Sequence, residues 1–383
     1  MIKDPSASTT KEANKQILPL AMPFPKQAGY FDFSMTGKIL LQGEKRIELL
    51  QGLTTNNLNN LLPGQSIQAF ILDKFGKIQS PLTILQFKKD TLLLLPFLQT
   101  DKISGQLTTA AKLLDCEIQN MTFEFALLSV MGKNANELLE KTFGEIEPHS
   151  FTLHSLHSIV FQHKGGVDKA KEQSTIPSFN DTKKTPLPGF TKIKGEVDFA
   201  IIKSQRTTIQ NYDLLIPKDG LEKVMTKLKQ TSITKQNPEL FELQRIKDGF
   251  LQWSTDYNES NNPIELSEYA NKFLSETKGC YLGQEIIARL KHRADSKTAK
   301  KIVQLTAKNQ LSKSSTIKVD DLIFYNYQGE TKQIGKITSA AHGNGTQITF
   351  AIAYLKKPYY DELVSKEVLV GDARIRATVQ ISS

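Results

Sequence analysis

The sequence predicts an α+β protein with a small β-barrel at its C-terminal end. From residue 37 to residue 217, short apolar or alternating runs typical of strands alternate with segments whose apolar residues recur at helical spacing. From Thr298 onward, short β-type runs follow one another with glycine turns between them. The chain has 383 residues, enough for two or three domains, and its 39% of hydrophobic residues can supply their cores.

A first domain is expected at residues 29–120, after a flexible tail at 1–28 in which Pro19, Pro23 and Pro25 interrupt any long element. The predicted strands of this domain are Gly37–Leu41, Ile67–Leu72, Ile78–Phe87 and Thr91–Pro96. The predicted helices are Glu44–Gln51 and Gln99–Leu114. Strands that alternate with helices in this way favour an α+β layer with antiparallel strands.

A second domain is expected at residues 121–297. Its predicted strands are Thr122–Val130, Phe199–Lys203 and Tyr212–Pro217, and its predicted helices are Lys218–Gln230 and Glu239–Gly249. Residues 167–196 are rich in Lys, Pro, Thr and Ser with few large apolar side chains, which indicates a loop-rich insertion. The remaining residues, 298–383, form the predicted barrel domain, with strands at Ile302–Leu305, Leu322–Tyr325 and Gln347–Ala353.

Composition and charge narrow the class of protein. The longest apolar runs are far shorter than the roughly 20 residues that span a bilayer, and the first residues lack the apolar core of a secretory signal. With two cysteines, no disulfide framework can form, so we expect a cytoplasmic protein without membrane contact. The net charge of +9 favours an anionic partner. The basic run from Lys291 to Lys301 is either a solvated connector or a guide for such a partner.

A single thiol lies between two glycines near the end of the second domain. Gly279 and Gly283 allow sharp turns on both sides of Cys280, and from Gln284 onward apolar residues recur at helical spacing. Cys280 therefore lies just before a predicted helix N-terminus, with Lys278 two residues away. The helix dipole and this cation would both favour the thiolate form, so Cys280 and Lys278 are the candidate catalytic residues. A buried cysteine acting as a small hydrophobe is the alternative.

The motif around this thiol resembles the signature of a known family. The run Lys278-Gly279-Cys280-Tyr281-Leu282-Gly283-Gln284-Glu285 resembles that of the YgfZ family, folate-binding proteins related to the glycine-cleavage T-protein (GcvT). Other segments resemble the same superfamily in the expected order: Leu50–Asn56, Leu72–Ile78, Gly335–Ser339 and Ala351–Leu355. The resemblance implies a three-domain GcvT-like ring around a central folate cavity, with tetrahydrofolate as the bound ligand.

The resemblance also separates two functions. In the T-protein a segment of the type Gly-Gly-Ile-x-Asp-Asp-Leu supplies an aspartate near the pterin, but Ser80 and Pro81 stand at the acidic positions here. Neither side chain can do general acid–base work. We therefore expect a folate-binding accessory protein rather than a classical enzyme, one that uses Cys280 in assembly or repair of iron–sulfur clusters in client enzymes such as tRNA-modifying enzymes. The alternative is a folate-dependent aminomethyltransferase-like one-carbon transferase.

Further residues have roles that follow from the resemblance or remain open. Gln284 and Glu285 either hydrogen-bond the pterin or act as first-turn polar residues of the helix. Arg245, in the family's Arg-Ile-x-x-Gly element, either contacts folate or holds the cavity through an ion pair. Iron–sulfur clusters usually take four thiolates, so Cys280 and Cys116 cannot enclose a cluster alone. No metal site is predicted at the four histidines between 149 and 163, and no motif indicates direct RNA binding.

Overall fold

The computed structural model describes residues 27–144, 190–193, 197–292, 298–308, 316–343 and 348–381. The predicted tail up to residue 26, the four histidines between 149 and 163, and all of the predicted insertion except residues 190–193 lie outside these ranges. So do Arg293 and Lys297 of the basic run.

The strands and helices follow the predicted order closely. The strands are β1 Gly29–Asp32, β2 Gly37–Gln42, β3 Ser66–Leu72, β4 Ile78–Gln86, β5 Asp90–Leu95, β6 Glu117–Asn120, β7 Phe125–Met131, β8 Phe190–Ile193, β9 Val197–Lys203, β10 Asn211–Pro217, β11 Lys300–Lys308, β12 Leu322–Tyr327, β13 Glu330–Gly343, β14 Ile348–Lys356, β15 Glu367–Val370 and β16 Ile375–Ile381. The α-helices are α1 Arg46–Leu53, α2 Thr100–Ala111, α3 Ala135–Phe143, α4 Leu221–Gln230, α5 Pro238–Lys247, α6 Gln284–His292 and α7 Tyr359–Glu362. Segments of 3₁₀ helix run over Phe97–Gln99, Lys218–Gly220 and Pro263–Phe273.

The first sheet has the strand order β3-β4-β5-β2-β6, and its pairs are antiparallel. The alternation of β2 explains how it is covered on both faces. Ile39 and Leu41 pack with residues of α1 and α2, whereas Leu40 points to the other face. There it joins a cluster with Leu127 and Leu215 of the second sheet, so the two sheets pack face to face.

The second sheet has the order β1-β7-β10-β9-β8, with α3 and α4 packed against it. β1 pairs with β7 in antiparallel register, Gly29 opposite Met131. Residues 29–32 therefore lie in the second sheet, although the sequence places them with the first domain. The reason is physical: a four-residue strand carries too little pattern to indicate its partner, and an edge position on β7 was available.

The third unit is a closed barrel, as the sequence predicts, with the strand order β11-β14-β13-β12-β15-β16. Its interior is aliphatic, with Ile337, Ala353 and Val379 among its buried residues. A separate cluster joins the first sheet to the barrel through the segment between them, because Phe70, Phe273 and Ile352 pack together with aromatic side chains of residues 250–273. This segment is therefore enclosed by both units. Among the described residues, no helix combines the length and apolarity that crossing a bilayer requires.

Candidate functional site

A pocket of about 330 Å³ lies where the two sheets meet the 241–273 segment. We call it the aromatic pocket. Its lining includes Phe33, Phe241, Phe250, Trp253, Tyr257, Tyr269 and Phe273, together with Gln68, Pro81, Leu94, Arg206 and Arg245. Several rings contact one another edge to face, such as Trp253 and Tyr257, whose centroids are 5.3 Å apart. Such walls suit a flat ring system, which stacks on or packs edgewise against aromatic faces.

A second cavity of about 310 Å³ adjoins the aromatic pocket and shares five lining residues with it, namely Gln68, Thr83, Leu94, Gln205 and Arg206. We call it the polar chamber. Its other lining residues come from β3 and β4, from β9 and Ser204 directly after it, and from β10, together with Lys272. The charged residues on its walls are Lys203, Arg206, Lys272 and Asp213. Two cavities of this size, one aromatic and one polar, fall within the range of roughly 300–1,000 Å³ typical of small-molecule sites.

Asp213 is already paired within the polar chamber. Its carboxylate accepts hydrogen bonds from Arg206 Nε at 3.0 Å and Nη2 at 2.7 Å, a bidentate arrangement. The Arg206 guanidinium also lies 4.3 Å from the centroid of the Phe33 ring. The ion pair fixes Arg206 at the boundary of the two cavities. Lys203 and Lys272, the other two cations of the polar chamber, are not paired with Asp213.

Lys272 is the most unusual group on these walls. Its Nζ lies 4.1 Å from the ring centroid of Tyr269, 4.4 Å from that of Phe250 and 5.6 Å from that of Phe273. Burial lowers the pKa of Lys272 from 10.5 to about 8. Cation–π attraction offsets part of the cost of taking the ammonium out of water. No hydrogen bond or ion pair of this Nζ is found within the described part of the chain.

Two buried polar atoms of the lining have no hydrogen-bond partner among the described residues, Gln68 Oε1 and Trp253 Nε1. One is an acceptor and the other a donor. A buried polar atom without a partner costs about 1–3 kcal/mol, so such atoms usually have a bound water or a ligand. Their placement in the aromatic pocket fits a ligand that carries both donors and acceptors on its ring edge.

Arg245 is held by an ion-pair network at one side of the aromatic pocket. Its guanidinium donates to Asp256 at 2.8 Å, to Glu242 at 2.8 Å, to Phe250 O at 3.1 Å and to Ser339 Oγ at 3.1 Å. Nη2 also lies 2.7 Å from Glu242, so five contacts match its five N–H donors. Burial alone would lower the pKa of Arg245, but the Asp256 and Glu242 carboxylates raise it above its ordinary value. The structure shows the ion pair, and because Arg245 also lines the aromatic pocket, its contact with folate stays a prediction.

Asp256 connects this arginine to the barrel. Its fully buried carboxylate accepts from Gln252 N at 2.9 Å and from the hydroxyls of Thr338 at 2.7 Å and Ser339 at 2.6 Å on β13. The network thus joins α5, the loop after it and the barrel around one buried charge pair.

The wall contributed by β4 carries no acid. Pro81 lines the aromatic pocket, and the buried Ser80 donates its hydroxyl to Pro81 O at 2.9 Å. None of the described residues that line the aromatic pocket is an aspartate or a glutamate. The pocket therefore offers no carboxylate as a general acid or base.

Cys280 lies on the surface, in the loop before α6, as the glycine spacing predicts. It does not line either cavity among the described residues. Lys278 instead points inward. Its Nζ donates to Gln51 O at 2.7 Å, to Asn56 O at 3.2 Å and to Thr54 O, which occupies the donors of the ammonium. Burial lowers the pKa of Lys278 to about 8. Its amino group thus anchors the loop, and the predicted catalytic role of Lys278 and Cys280 stays a prediction.

Residues 272–278 run along the Leu50–Asn56 element, and we call this segment the strap. Thr55 Oγ1 donates to Phe273 O at 2.6 Å, Ser275 N donates to Thr55 O at 3.0 Å, and Asn56 Nδ2 donates to Lys272 O at 3.0 Å. Together with the bonds from Lys278 Nζ, these contacts tie the start of the 278–285 run to the Leu50–Asn56 segment, and both of these segments resemble the same superfamily. The strap begins at the polar chamber with Lys272 and leads to the exposed Cys280.

The signature loop is also packed against the turn between β3 and β4. Gly283 has φ +82°, and a Cβ there would lie 2.6 Å from Asp73 O and 3.0 Å from the Cα of Gly76. Only glycine fits this contact, because both the backbone angle and the space exclude a side chain. Phe75 and Leu282, one from each loop, are exposed next to this contact.

Gln284 and Glu285 lie away from both cavities. Glu285 is exposed in the first turn of α6 and pairs with Arg289 at 2.7 Å, one helical turn later. Gln284 is half-buried, and its backbone N–H donates to Tyr281 O at 3.2 Å. Neither lines the aromatic pocket or the polar chamber. The first-turn role fits these positions, and the predicted pterin contact has no support from them.

A third cavity, of about 580 Å³, lies between the 3₁₀ segment Pro263–Phe273, the end of α6 and the barrel. About half of its lining residues are aliphatic, and both lysines among the described lining residues have acidic neighbours: Lys291 pairs with Glu276 at 2.9 Å, and Lys301 lies 3.9 Å from Asp361. Tyr360 is the single aromatic residue among the described lining residues, so this cavity has fewer aromatic faces than the aromatic pocket and less uncompensated charge than the polar chamber.

Sequence reasoning missed most of the cavity residues. Gln68, Arg206 and Lys272 belong to no motif, and Trp253 stands out only as the single tryptophan. Among the described residues, no group of three or more His, Cys, Asp or Glu side chains is placed to hold a metal ion.

Comparisons with known proteins agree with this architecture. A family model described as the GCVT N-terminal domain matches residues 21–164. The aminomethyltransferase of Thermotoga petrophila is 23% identical over 356 residues, 92% of this chain and 82% of that protein. The aminomethyltransferase of Chlorobaculum parvum is 31% identical over 120 residues, 31% of this chain and 33% of that protein.

Among solved structures, the glycine cleavage system aminomethyltransferase T of Bartonella henselae aligns with a TM-score of 0.70 at 17% identity, covering 93% of this chain and 85% of that one. The chain therefore has a GcvT-like fold of mixed α and β structure with a closed six-stranded barrel, as predicted. These matches support the GcvT-like part of the resemblance, and the YgfZ family stays a prediction.

Proposed function

We propose that this protein binds tetrahydrofolate, or a folate derivative, in the aromatic pocket and the polar chamber. The observation that carries the proposal is the pairing of a ring-lined pocket with an adjoining cationic chamber. A folate has the matching chemistry: a flat pterin with donors and acceptors, a second aromatic ring, and a glutamate with negative charge. Gln68 Oε1 and Trp253 Nε1 are the partnerless atoms that would hydrogen-bond the ring edge.

Bound tetrahydrofolate would supply a carrier for one-carbon groups. The chain's own residues, however, favour binding over transfer. Pro81 and Ser80 stand where the resemblance expects acidic residues, and the aromatic pocket has no carboxylate among its described lining residues. A proton transfer by a positioned side chain contributes about 10²–10⁴-fold to a rate, and this pocket offers no side chain of the expected kind to do it.

In our proposal the protein is a folate-binding accessory factor for the assembly or repair of iron–sulfur clusters in client proteins, and Cys280 is the side chain that contacts the cluster. Cys280 is exposed, so a partner can reach the thiol without any rearrangement of the core. The strap runs from the proposed folate cavity to the loop of Cys280, and hydrogen bonds to Thr55 and Asn56 hold it in place. A cluster needs more thiolates than this chain has, so Cys280 would donate one ligand to a shared or transient cluster.

The second candidate function is a folate-dependent aminomethyltransferase. It is favoured by the comparisons, since the protein of Thermotoga petrophila that matches 92% of this chain bears that name. The two candidates share the folate site and differ in the chemistry at it.

Folate binding is tested by calorimetric titration of the purified protein with 5-formyltetrahydrofolate. We expect one saturable site, with quenching of Trp253 fluorescence over the same range of ligand concentration. Gln68→Leu, which removes one partnerless atom, should weaken binding about tenfold, the effect of about 1.4 kcal/mol, while the exposed Gln328→Leu on the barrel should not. Absence of heat and of quenching in the wild-type protein would reject both candidate functions.

The two candidates are separated by two further assays. Turnover of an aminomethyl-lipoyl protein substrate would establish the transferase and reject the accessory role. In cells that lack the native protein, we expect Cys280→Ser to leave iron–sulfur client activity unrestored, and Cys116→Ser, the matched control at the other cysteine, to restore it. Full restoration by Cys280→Ser would remove the role of the thiol.

A further inference from the structure

Lys272 lies on the wall of the polar chamber, and among the described residues no carboxylate is bonded to its ammonium group. Its Nζ is in contact with three aromatic rings, two of them within 4.4 Å of their centroids. Within the described part of the chain, no carboxylate forms an ion pair with it. The carboxylate on the chamber wall, Asp213, is bound in bidentate fashion by Arg206.

The groups that face Lys272 from the surrounding elements leave the chamber positive. β9 contributes the exposed Lys203, the loop after it Arg206, and β10 Asp213. From the 3₁₀ segment comes Tyr269, whose hydroxyl donates to Leu251 O at 3.2 Å. The first-sheet residues that line the chamber, from Ser66 to Leu94, carry no titratable side chain. Three cations therefore face one carboxylate in a partly buried space.

This arrangement has a chemical consequence. An ammonium with three N–H donors and no acceptor is costly when half-buried, so burial shifts the equilibrium of Lys272 toward the neutral amine and lowers its pKa. An anion brought within hydrogen-bond distance supplies both the counter-charge and the acceptors, and it reverses that preference.

We infer that Lys272 binds the anionic group of the cavity ligand and that its amine takes up a proton from solvent when the ligand binds. The ligand class is a carboxylate-bearing molecule with a flat aromatic portion, the carboxylate in the polar chamber and the ring in the aromatic pocket. This inference rests on the proposed folate-binding function and adds to it a residue that selects ligands by their charge. Lys272 acts here as a specificity-determining residue, and no bond is made or broken except that to the proton.

The expected effect follows from linkage. With a pKa of about 8 in the free protein, Lys272 is close to half-protonated at pH 8. If a bound carboxylate restores the pKa to its ordinary value of 10.5, binding takes up about half a proton at pH 8. The same values predict that the dissociation constant rises about tenfold between pH 7 and pH 9, because the protonated amine becomes scarce in the free protein.

The test is calorimetric titration with 5-formyltetrahydrofolate at pH 8 in triethanolamine and in Tris, two cationic buffers with different ionisation enthalpies. The difference between the two binding enthalpies gives the number of protons taken up. We expect about half a proton for the wild-type protein, and the same for the control Lys229→Met, which removes an exposed lysine of α4. Circular dichroism before each titration establishes that each variant is folded.

Two substitutions at the site separate charge from titration. Lys272→Met should abolish proton uptake and weaken binding at pH 7 about tenfold. Lys272→Arg keeps a charge that does not titrate, so binding should persist without proton uptake and without the loss between pH 7 and pH 9. Proton uptake that survives in folded Lys272→Met, or its absence in the wild-type protein that binds the ligand, would overturn the inference and leave the proposed function standing.

If the wild-type protein does not bind 5-formyltetrahydrofolate, the proposed function fails instead. Titration with sodium glutarate, a small dicarboxylate, then decides on Lys272 alone. Proton uptake with glutarate that is lost in Lys272→Met would support an anion subsite for another ligand, and no glutarate binding would overturn it.

Discussion

The buried pair of Arg245 and Asp256 should be one of the most sensitive points of this structure. The Asp256 side chain is fully buried and accepts four hydrogen bonds, from Arg245, the Gln252 N–H and the hydroxyls of Thr338 and Ser339. Asp256→Ala would leave the guanidinium without its buried counter-charge. Breaking a buried pair by removing one partner costs about 3–5 kcal/mol, and we expect a loss of free energy of unfolding in that range for Asp256→Ala and for Arg245→Met.

Urea unfolding at pH 7, followed by far-ultraviolet circular dichroism, measures this loss. The double substitution Arg245→Met with Asp256→Ala should cost clearly less than the sum of the two single changes, with a coupling of about 2 kcal/mol or more, because no buried charge is then left unpaired. The control is Glu242→Gln, the more exposed partner of the same arginine, which should cost below about 1 kcal/mol. Single losses below about 1 kcal/mol, or losses that add, would refute the role given to the network.

Three other predictions concern the loop of Cys280 and the lysines. Gly283→Ala should lower the free energy of unfolding by on the order of 2–4 kcal/mol, measured by thermal unfolding, because φ is +82° and the new Cβ would lie 2.6 Å from Asp73 O. Gly279→Ala, where a Cβ has no neighbour within 4 Å, is the matched control. Equal losses in the two variants would contradict the packing of Gly283. Lys278→Met should lower the free energy of unfolding by about 2–4 kcal/mol in the same measurement, because it removes the ammonium that donates to the carbonyls of Gln51, Thr54 and Asn56. An unchanged melting temperature would show that these hydrogen bonds are not needed for stability. The pKa of Lys272 is about 8 when folded and 10.5 in its ordinary state, so the unfolded chain binds more protons between these values and stability must rise with pH through that window. Relative to Lys272→Met, the wild-type protein should gain on the order of 2–3 kcal/mol between pH 7 and pH 10 in urea unfolding, and parallel pH profiles of the two proteins would contradict the burial of this amine.

Much of the fold could be predicted because its elements carry regular patterns. The apolar run of β2 and the helical spacing of α2 are local properties, and the predicted elements begin and end within a few residues of their predictions. Among the described elements, β6, α3, β13, β15 and β16 have no predicted counterpart. β1 shows the limit. Its four residues pair with β7, and which of two sheets an edge strand joins depends on packing that no local pattern records.

The candidate site divides in the same way. The position of Cys280 in a loop before a helix follows from the glycines around it, which is local information, whereas its exposure is left open by the sequence. Lys278 was expected to act on the thiol, yet its amino group binds backbone carbonyls of a segment 227 residues away at Gln51. Backbone carbonyls leave no trace in residue identities, so this contact could not be predicted. Lys272 likewise belongs to no motif, because its property arises from burial among rings supplied by the fold.

The central claim is that a folate occupies the aromatic pocket, and the single tryptophan allows it to be tested at one position. Protein labelled with 5-fluorotryptophan should give one ¹⁹F resonance, from Trp253 on the pocket wall. Addition of 5-formyltetrahydrofolate should shift this resonance in a saturable manner, because the ring of the ligand would lie against the indole. A resonance that stays unchanged at millimolar ligand would contradict the claim.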